Sequence, residues 1–230
     1  MADATPTLSN SRIDKAGVCI REHFFADPRV IADANTLQDA VDSVWAFRAR
    51  FNHPLTLVNL GVRYYINKAG CDVVVAQRLK RLPRIVEKMS RHPRMRLTQM
   101  QDVGGCRAIL PNSDSVNAVL GGLKRNWEII AIDDYVAAPK TTGYRAIHVV
   151  VRKEGMAVEL QLRTPGQQTW AEEIERIDSV TDYALKDGDG PEDVLAYTTK
   201  LAEVIATLDA GNRVNDEDLT ALRELRRNVP

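Results

Sequence analysis

Cysteine is scarce in this sequence, and Cys19, Cys71 and Cys106 lie far apart along the chain. No two of them have the CxxC spacing found in many zinc and redox sites, and their number is odd. The sequence therefore favours neither a disulfide framework nor a structural zinc site. A reducing cytoplasm is the compartment that we expect for such a chain.

Long apolar runs and an excess of one charge are also absent. No stretch approaches the ~20 apolar residues of a membrane-spanning helix, and residues 1–15 contain no apolar run typical of a signal peptide. Lysine and arginine together number 31, as do aspartate and glutamate, so the net charge is zero. We therefore expect no membrane association, and the overall charge does not indicate a nucleic-acid-binding protein.

The hydrophobic pattern changes along the chain. Early residues such as Leu37 and Phe47 recur at helical spacing, with Thr36 as the expected N-cap, whereas β-branched runs begin near residue 72. The predicted strands are Gly104–Leu110, Trp127–Ile132, Tyr144–Val151 and Ala157–Arg163, with a helix over Ser115–Lys124. The prediction is an α/β (α+β) catalytic domain over residues 71–185, with a helical N-terminal extension (1–70) and C-terminal helices (186–230).

The last predicted strand places three polar side chains on one face. Because side chains alternate along a strand, Glu159, Gln161 and Arg163 lie opposite an apolar row. A carboxylate, an amide and a guanidinium in one row could hold a metal ion, a ribose and a phosphate. A solvated strand face would show the same pattern, so this segment leaves both interpretations open.

The segment from Asp102 to Arg107 combines an aspartate, two glycines and an arginine. An aspartate at the start of a strand can ligate Mg²⁺, which prefers carboxylate oxygens. Glycine allows the backbone to approach a ligand closely, and arginine can stack on a base or neutralise a phosphate. An ordinary turn with aspartate and glycine in their usual positions is the alternative.

Basic residues are concentrated between Arg78 and Arg96, where Glu87 is the single acid. Such a segment suits a polyphosphate or an RNA, although it also fits a solvated helix face.

Farther along, Tyr144 and His148 share one face of a predicted strand after a loop containing Lys140. They could stack on a base and bond a phosphate, or they could belong to a half-buried hairpin.

These segments together resemble the synthetase domain of the RelA/SpoT family. The matching motifs, between about residues 72 and 177, are Arg78-x-Lys80, Asp102-x-x-Gly105-x-Arg107, Asp134-Tyr135…Pro139-Lys140…Gly143-Tyr144-Arg145…His148, Val158-Glu159-x-Gln161-x-Arg163-Thr164 and Trp170-Ala171-Glu172…Glu175. The resemblance implies a nucleotidyltransferase-like fold, a mixed sheet flanked by helices. It also implies transfer of the β,γ-pyrophosphate of ATP to a 3′-hydroxyl, with release of AMP.

The resemblance also implies roles for individual residues. Asp102 and Glu159 would be the catalytic carboxylates, Asp102 as a ligand of a Mg²⁺ cofactor and Glu159 as its second ligand or as the base that activates the acceptor hydroxyl. The expected ATP-binding residues are Arg78, Lys80, Lys88 and Arg107. The expected acceptor-binding residues are Lys140, Tyr144, His148, Gln161 and Arg163, with a base stacked on the Tyr144 ring.

Several features leave the acceptor open. The family commonly has serine where this chain has Arg84, and no histidine precedes an aspartate as in the family's hydrolase domain. The chain therefore resembles small synthetases, which make guanosine alarmones from GDP or GTP, and their toxin branch, which modifies the tRNA 3′ end or makes adenosine alarmones. An antitoxin partner and a homo-oligomer are compatible with either. A non-catalytic nucleotide-binding module is the third alternative.

Overall fold

The computed structural model describes residues 8–25 and 33–230. The helices are α1 (Asn10–Phe25), α2 (Ala34–Ala49), α3 (Asn52–Lys68), α4 (Leu82–Arg91), α5 (Ser113–Asn126), α6 (Pro165–Val180), α7 (Glu192–Asp209) and α8 (Asp216–Arg226), and 3₁₀ turns lie at Leu97–Gln99 and Leu185–Asp187. The strands are β1 (Val75–Leu79), β2 (Gly104–Ile109), β3 (Ile129–Asp134), β4 (Ile147–Lys153) and β5 (Met156–Arg163). Within the described residues, no helix combines the length and apolar character needed to cross a bilayer.

The five strands form one sheet in the order β1-β2-β5-β4-β3. Strands β3 and β4 pair antiparallel, with Asp134 opposite Ile147. On β5, Val158, Leu160 and Leu162 are fully buried, as their alternation predicts. The predicted class, a mixed sheet flanked by helices, is confirmed.

Two local predictions were wrong. The N-cap of α2 is Asp33, whose carboxylate accepts from the backbone N–H groups of Asn35 and Thr36. A carboxylate at the N-cap can accept the free N–H groups of the first turn, which Thr36, inside that turn, does not do. Strand β4 begins at Ile147, because the carbonyl of Tyr144 accepts instead from the Lys140 N–H, at 3.3 Å, and closes the preceding loop.

The chain divides into two compact units. Residues up to 59, 77–106 and 152–159 belong to the first unit, and residues 60–76, 107–151 and 160–230 belong to the second. In the first unit α1 packs on α2 and α4. Gly17 permits this close packing, because a Cβ there would lie 2.8 Å from the Met89 side chain. The predicted division at residues 70 and 185 stays a prediction.

Candidate active site

Two lysines and one aspartate of the first unit form a charged cluster. Lys80 follows β1, Lys88 lies on α4, and Asp102 immediately precedes the Val103-Gly104 entry into β2. The Lys80 Nζ is 3.0 Å from one carboxylate oxygen of Asp102, and the Lys88 Nζ is 2.9 Å from the other. The structure thus brings together three residues that lie 8 to 22 positions apart in the sequence.

Burial acts to raise the pKa of Asp102, but the two lysines outweigh it and hold the pKa below its ordinary value. The aspartate is therefore ionised at neutral pH. Because the folded-state pKa is lowered, the stabilisation from this group is present above the unfolded pKa of about 3.9. It is lost as the pH falls through the folded-state pKa.

The backbone of Lys80 is held on both sides. Its N–H donates to the Val103 carbonyl at 2.8 Å, and its carbonyl accepts from the Arg48 Nε at 2.8 Å. Arg48 comes from α2, is 8% exposed, and stacks on Trp45 with its guanidinium carbon 4.3 Å from the ring centroid. Burial lowers the pKa of Arg48. Sequence reasoning missed Arg48, because no motif marks it.

Arg48→Met should slow any reaction that depends on Lys80 by about tenfold to a hundredfold, since it removes one charge-assisted hydrogen bond worth roughly 1.5–3 kcal/mol. Methionine retains much of the apolar stem, so the fold should persist. Arg21→Met is the matched control, because Arg21 also reaches from an N-terminal helix to a backbone carbonyl, that of Pro93 at 2.7 Å. Steady-state kinetics with varied ATP measure both variants, and equal effects would remove the positioning role of Arg48.

Asp102 and Glu159 were the predicted metal ligands. Asp102 Oδ1 is buried and has no hydrogen bond of ordinary geometry within the described residues, despite the nearby Lys88. Glu159 is half-buried on β5 in the same unit. No three His, Cys, Asp or Glu side chains in the described residues could hold a metal together. Carboxylate oxygens of this kind fit Mg²⁺, which often takes one or two of them and completes its shell with water and phosphate.

The other two residues expected to bind ATP, Arg78 and Arg107, lie on strands. Arg78 is exposed on β1, and Arg107 is half-buried on β2. Arg84 replaces the usual serine of the family, and its guanidinium lies 2.7 Å from Glu87, which also pairs with Arg91 at 3.1 Å. Part of the charge that Arg84 adds to this segment is therefore neutralised by its own helix.

A second group, in the second unit, contains most of the predicted acceptor-binding residues. The guanidinium of Arg163 donates to the Gln168 oxygen at 3.0 Å, the Tyr144 hydroxyl at 2.9 Å and the Gln161 oxygen at 3.0 Å. The Tyr144 hydroxyl is 2.6 Å from Nε2 of His148. The structure therefore joins four predicted residues into one polar network and adds Gln168, which sequence reasoning missed.

The predicted stacking of a base on Tyr144 requires an accessible ring, whereas the structure buries this ring. Tyr144 is 6% exposed and packs edge-on against Trp170, with ring centroids 5.8 Å apart. The chain enters this position through Gly143, at φ +88°, where a Cβ would lie 2.5 Å from the Ala202 side chain. This close approach to α7 places the tyrosine in the core of the second unit.

Tyr135 is the more exposed aromatic of this group. Its ring is half-buried and lies 5.6 Å from Tyr144 and 5.3 Å from His148. The ammonium of Lys140 lies 5.3 Å from the Tyr135 centroid and 5.6 Å from that of Tyr144. Sequence reasoning quoted Tyr135 in a motif but gave it no role. The two tyrosines differ in burial, which the motif does not show.

The matches with known proteins cover the part of the chain that contains most of these site residues. Residues 77–182 match the family model described as the region found in RelA/SpoT proteins. GTP pyrophosphokinase YjbM of Bacillus subtilis is 29% identical over 147 residues, which covers 59% of this chain and 67% of that protein. A probable chloroplastic GTP diphosphokinase of Arabidopsis thaliana is 28% identical over 142 residues, covering 60% of this chain and 19% of that protein.

The fold is also similar to that of a solved structure. The small alarmone synthetase 1 from Bacillus subtilis, bound to its product pppGpp, superposes with a TM-score of 0.61 at 21% identity. The match covers 77% of this chain and 95% of that one. At this sequence identity, the similarity to the solved structure is one of fold. This chain spans only about a fifth of the length of the plant relative.

Proposed function

We propose, from the match of residues 77–182 to the region found in RelA/SpoT proteins, that the protein is an ATP-dependent pyrophosphokinase. It transfers the β,γ-pyrophosphate of ATP to the 3′-hydroxyl of an acceptor nucleotide and releases AMP. The observation that supports this best is the cluster of Lys80, Lys88 and Asp102, which combines two phosphate-binding cations with a metal-binding carboxylate. The relationship to a GTP pyrophosphokinase agrees with it.

The reaction places particular demands on these residues. The 3′-oxygen of the acceptor attacks the β-phosphorus of ATP, the bond from that phosphorus to the α-phosphate oxygen breaks, and AMP departs. Such transfers depend on charge neutralisation and in-line positioning. Lys80 and Lys88 neutralise the ATP phosphates, and Arg78 and Arg107 bind the adenine. Glu159 receives the proton of the attacking hydroxyl.

Magnesium is the cofactor that these residues fit. Asp102 and Glu159 would hold it, and the ion, when bound, would supply positive charge that polarises the phosphoryl oxygens. Its remaining ligands would be water and phosphate oxygens, since the described residues contain no third protein ligand of the usual kinds nearby.

GDP or GTP is the proposed acceptor, giving a guanosine alarmone. Lys140 provides a cation 5.3 Å from the centroid of the half-buried Tyr135 ring, and the predicted residues His148 and Gln161 belong to the network that includes Arg163. Tyr135 is better exposed than Tyr144 for stacking on a base. An antitoxin partner and self-association stay predictions.

The test is incubation of the purified protein with γ-labelled ATP, Mg²⁺ and, separately, GDP, GTP, ATP or deacylated tRNA. Label should appear in a pyrophosphorylated guanosine nucleotide, with AMP formed in equal amount. Label transfer to none of the four acceptors, with the protein folded by circular dichroism, would refute the proposed activity.

An RNA 3′ end is the second candidate acceptor. The observation that favours it is a group of exposed arginines around α4, outside the lysine–aspartate cluster, namely Arg81, Arg91, Arg94 and Arg96. Phosphate contacts by such residues dominate RNA affinity and weaken with salt. A mononucleotide needs none of them.

Charge reversal at Arg91, Arg94 and Arg96 should weaken use of a tRNA acceptor by at least tenfold and leave GDP or GTP use nearly unchanged. An extended polyanion loses several phosphate contacts, whereas a small nucleotide loses none. Acceptor kinetics at two salt concentrations measure this, with reversal of the exposed Arg213 and Arg223 of the second unit as the control. Equal losses for both acceptors would eliminate a dedicated RNA surface.

A further inference from the structure

Arg163, one of the expected acceptor-binding residues, is deeply buried. It is 4% exposed, and its guanidinium donates to the side-chain oxygens of Gln161, Gln168 and Tyr144 at distances between 2.9 and 3.0 Å. Its charge therefore acts on a nearby ligand mainly through the local electric field. Direct contact with an anionic ligand requires a more accessible cation.

Lys186 is a more accessible cation in the same unit. It lies in the 3₁₀ turn Leu185–Asp187, and its side chain is 32% exposed. Its Nζ is 2.6 Å from Oε1 of Glu175, the last residue of the motif that begins at Trp170. Sequence reasoning gave Lys186 no role, because it belongs to none of the quoted motifs.

The turn that carries Lys186 is fixed against the predicted acceptor-binding part of the unit. Leu185 is fully buried in the core cluster that also contains Tyr144. Gly188, at φ +83°, ends the turn, and a Cβ there would lie 3.7 Å from the Thr142 side chain. Thr142 belongs to the loop between Lys140 and Tyr144, so the turn packs against that loop.

One face of α6 connects this turn to the buried arginine. Gln168, Glu172 and Glu175 follow one another at helical spacing and therefore lie on one face. At one end of this face Gln168 accepts from Arg163, and its amide nitrogen donates to Glu172 at 2.7 Å. At the other end Glu175 pairs with Lys186. The two cations thus lie at the ends of a stripe of about two helical turns, roughly 10 Å long.

The surroundings of Lys186 disfavour its positive charge. Burial lowers the pKa of its ammonium and the charge of Arg163 lowers it further, whereas Glu175 and Asp178 act in the opposite direction. The pKa stays below its ordinary value, so the two carboxylates do not offset burial and the second cation. A further negative charge beside the ammonium is stabilised, because it interacts favourably with both cations.

We propose that Lys186 is a further acceptor-binding residue whose ammonium binds the 5′-phosphate chain of the guanine nucleotide acceptor, with Arg163 supplying positive charge behind it. The phosphate takes the place that the Glu175 carboxylate occupies beside the ammonium. The 5′-phosphates are the group concerned, because the 3′-hydroxyl of the acceptor must stay free to attack ATP. The inference rests on the proposed function, in which GDP or GTP is the acceptor.

An ion pair that only stabilised the fold would depend equally on its two members. Loss of Lys186 and loss of Glu175 would then have the same effect on the protein. In the proposed site the two losses have different effects, because the carboxylate and the phosphate compete for one ammonium. Lys186→Gln removes the phosphate contact, whereas Glu175→Gln removes the competitor.

The experiment is isothermal titration calorimetry with GDP and with guanosine, in the presence of Mg²⁺ and without ATP, so that binding is measured without turnover. Lys186→Gln should raise the Kd for GDP by about tenfold or more, since it removes one charge-assisted contact. It should leave the Kd for guanosine, which has no phosphate, unchanged. Lys186→Arg should retain most of the affinity for GDP, and Glu175→Gln should bind GDP at least as tightly as the wild type.

Lys200→Gln is the matched control. Lys200 lies on α7 in the same unit, its side chain is 22% exposed, and its Nζ is paired with Asp218 at 2.5 Å. The control therefore also removes a partly buried, ion-paired lysine, and it should bind GDP as the wild type does.

Unchanged GDP binding by Lys186→Gln, equal losses for GDP and guanosine, or weaker GDP binding by Glu175→Gln would overturn the proposal. Thermal melting checks the fold, and if Lys186→Gln is unfolded, Lys186→Arg and Glu175→Gln decide. Transfer of label from ATP tests the proposed function separately. A wild type that shows the expected binding but transfers no label refutes the proposed function alone, and an active Lys186→Gln with an unchanged KM for GDP refutes the role of Lys186 alone.

Discussion

Asp102→Asn is expected to reduce pyrophosphate transfer on the order of a thousandfold, which corresponds to roughly 4 kcal/mol of barrier. The substitution removes the charge that Lys80 and Lys88 surround and the carboxylate best suited to Mg²⁺. Asparagine has nearly the same shape, and all three side chains are partly exposed, so the fold should persist. Single-turnover transfer with labelled ATP measures the effect.

Asp133→Asn is the matched control for this substitution, because Asp133 is an exposed aspartate on β3, in the other unit. It should retain wild-type turnover. Asp102→Asn should also shift the acid end of the stability profile, since the lowered pKa of Asp102 gives a stabilisation that is present above the unfolded pKa and lost as the pH falls through the folded-state pKa. Near-normal turnover by Asp102→Asn would remove it from the catalytic machinery.

Tyr144→Ala is expected to destabilise the protein by about 3–5 kcal/mol, as large aromatic truncations in a core do. The ring is 6% exposed within the cluster that includes Trp170, Ile174 and Tyr197, and the hydroxyl accepts from buried Arg163. Chemical denaturation monitored by circular dichroism measures the loss. The stacking role implied by the family resemblance would instead predict a kinetic effect without loss of stability.

Tyr64→Ala provides the comparison, because the Tyr64 ring is 59% exposed on α3. Its free energy of unfolding should change by less than about 1 kcal/mol. A stable Tyr144→Ala protein that had lost only acceptor binding would show that the ring contacts the ligand directly. That outcome would restore the stacking role implied by the family resemblance.

Several site features were predictable because they depend on local sequence. The alternation on β5 predicted that Glu159 and Gln161 lie opposite the buried Val158, Leu160 and Leu162, and the structure agrees. The strand–helix order between residues 104 and 163 followed from β-branched runs and helical spacing. The motif order predicted a resemblance to the RelA/SpoT synthetase domain, and residues 77–182 match the model of the region found in RelA/SpoT proteins.

Other features depend on residues far apart in the chain. Arg48 holds the carbonyl of Lys80 from a helix that carries no motif, and Gln168 holds Arg163 from the start of α6. Nothing in the local pattern separates these side chains from ordinary polar residues of a helix. Only the packing of their helices brings them to the lysine–aspartate cluster and to the buried arginine.

By itself, the sequence determined the resemblance to RelA/SpoT proteins, the strand alternation and the candidate residues, because motifs and periodicity are properties of short segments. The tertiary structure alone decided which of those residues are accessible. Gly143 allows the chain to approach α7 closely, and this approach buries Tyr144 while Tyr135 stays half-exposed. The packing also brings Arg163 to Tyr144 and Gln161. Because a guanidinium can only donate, Arg163 is the donor in both hydrogen bonds.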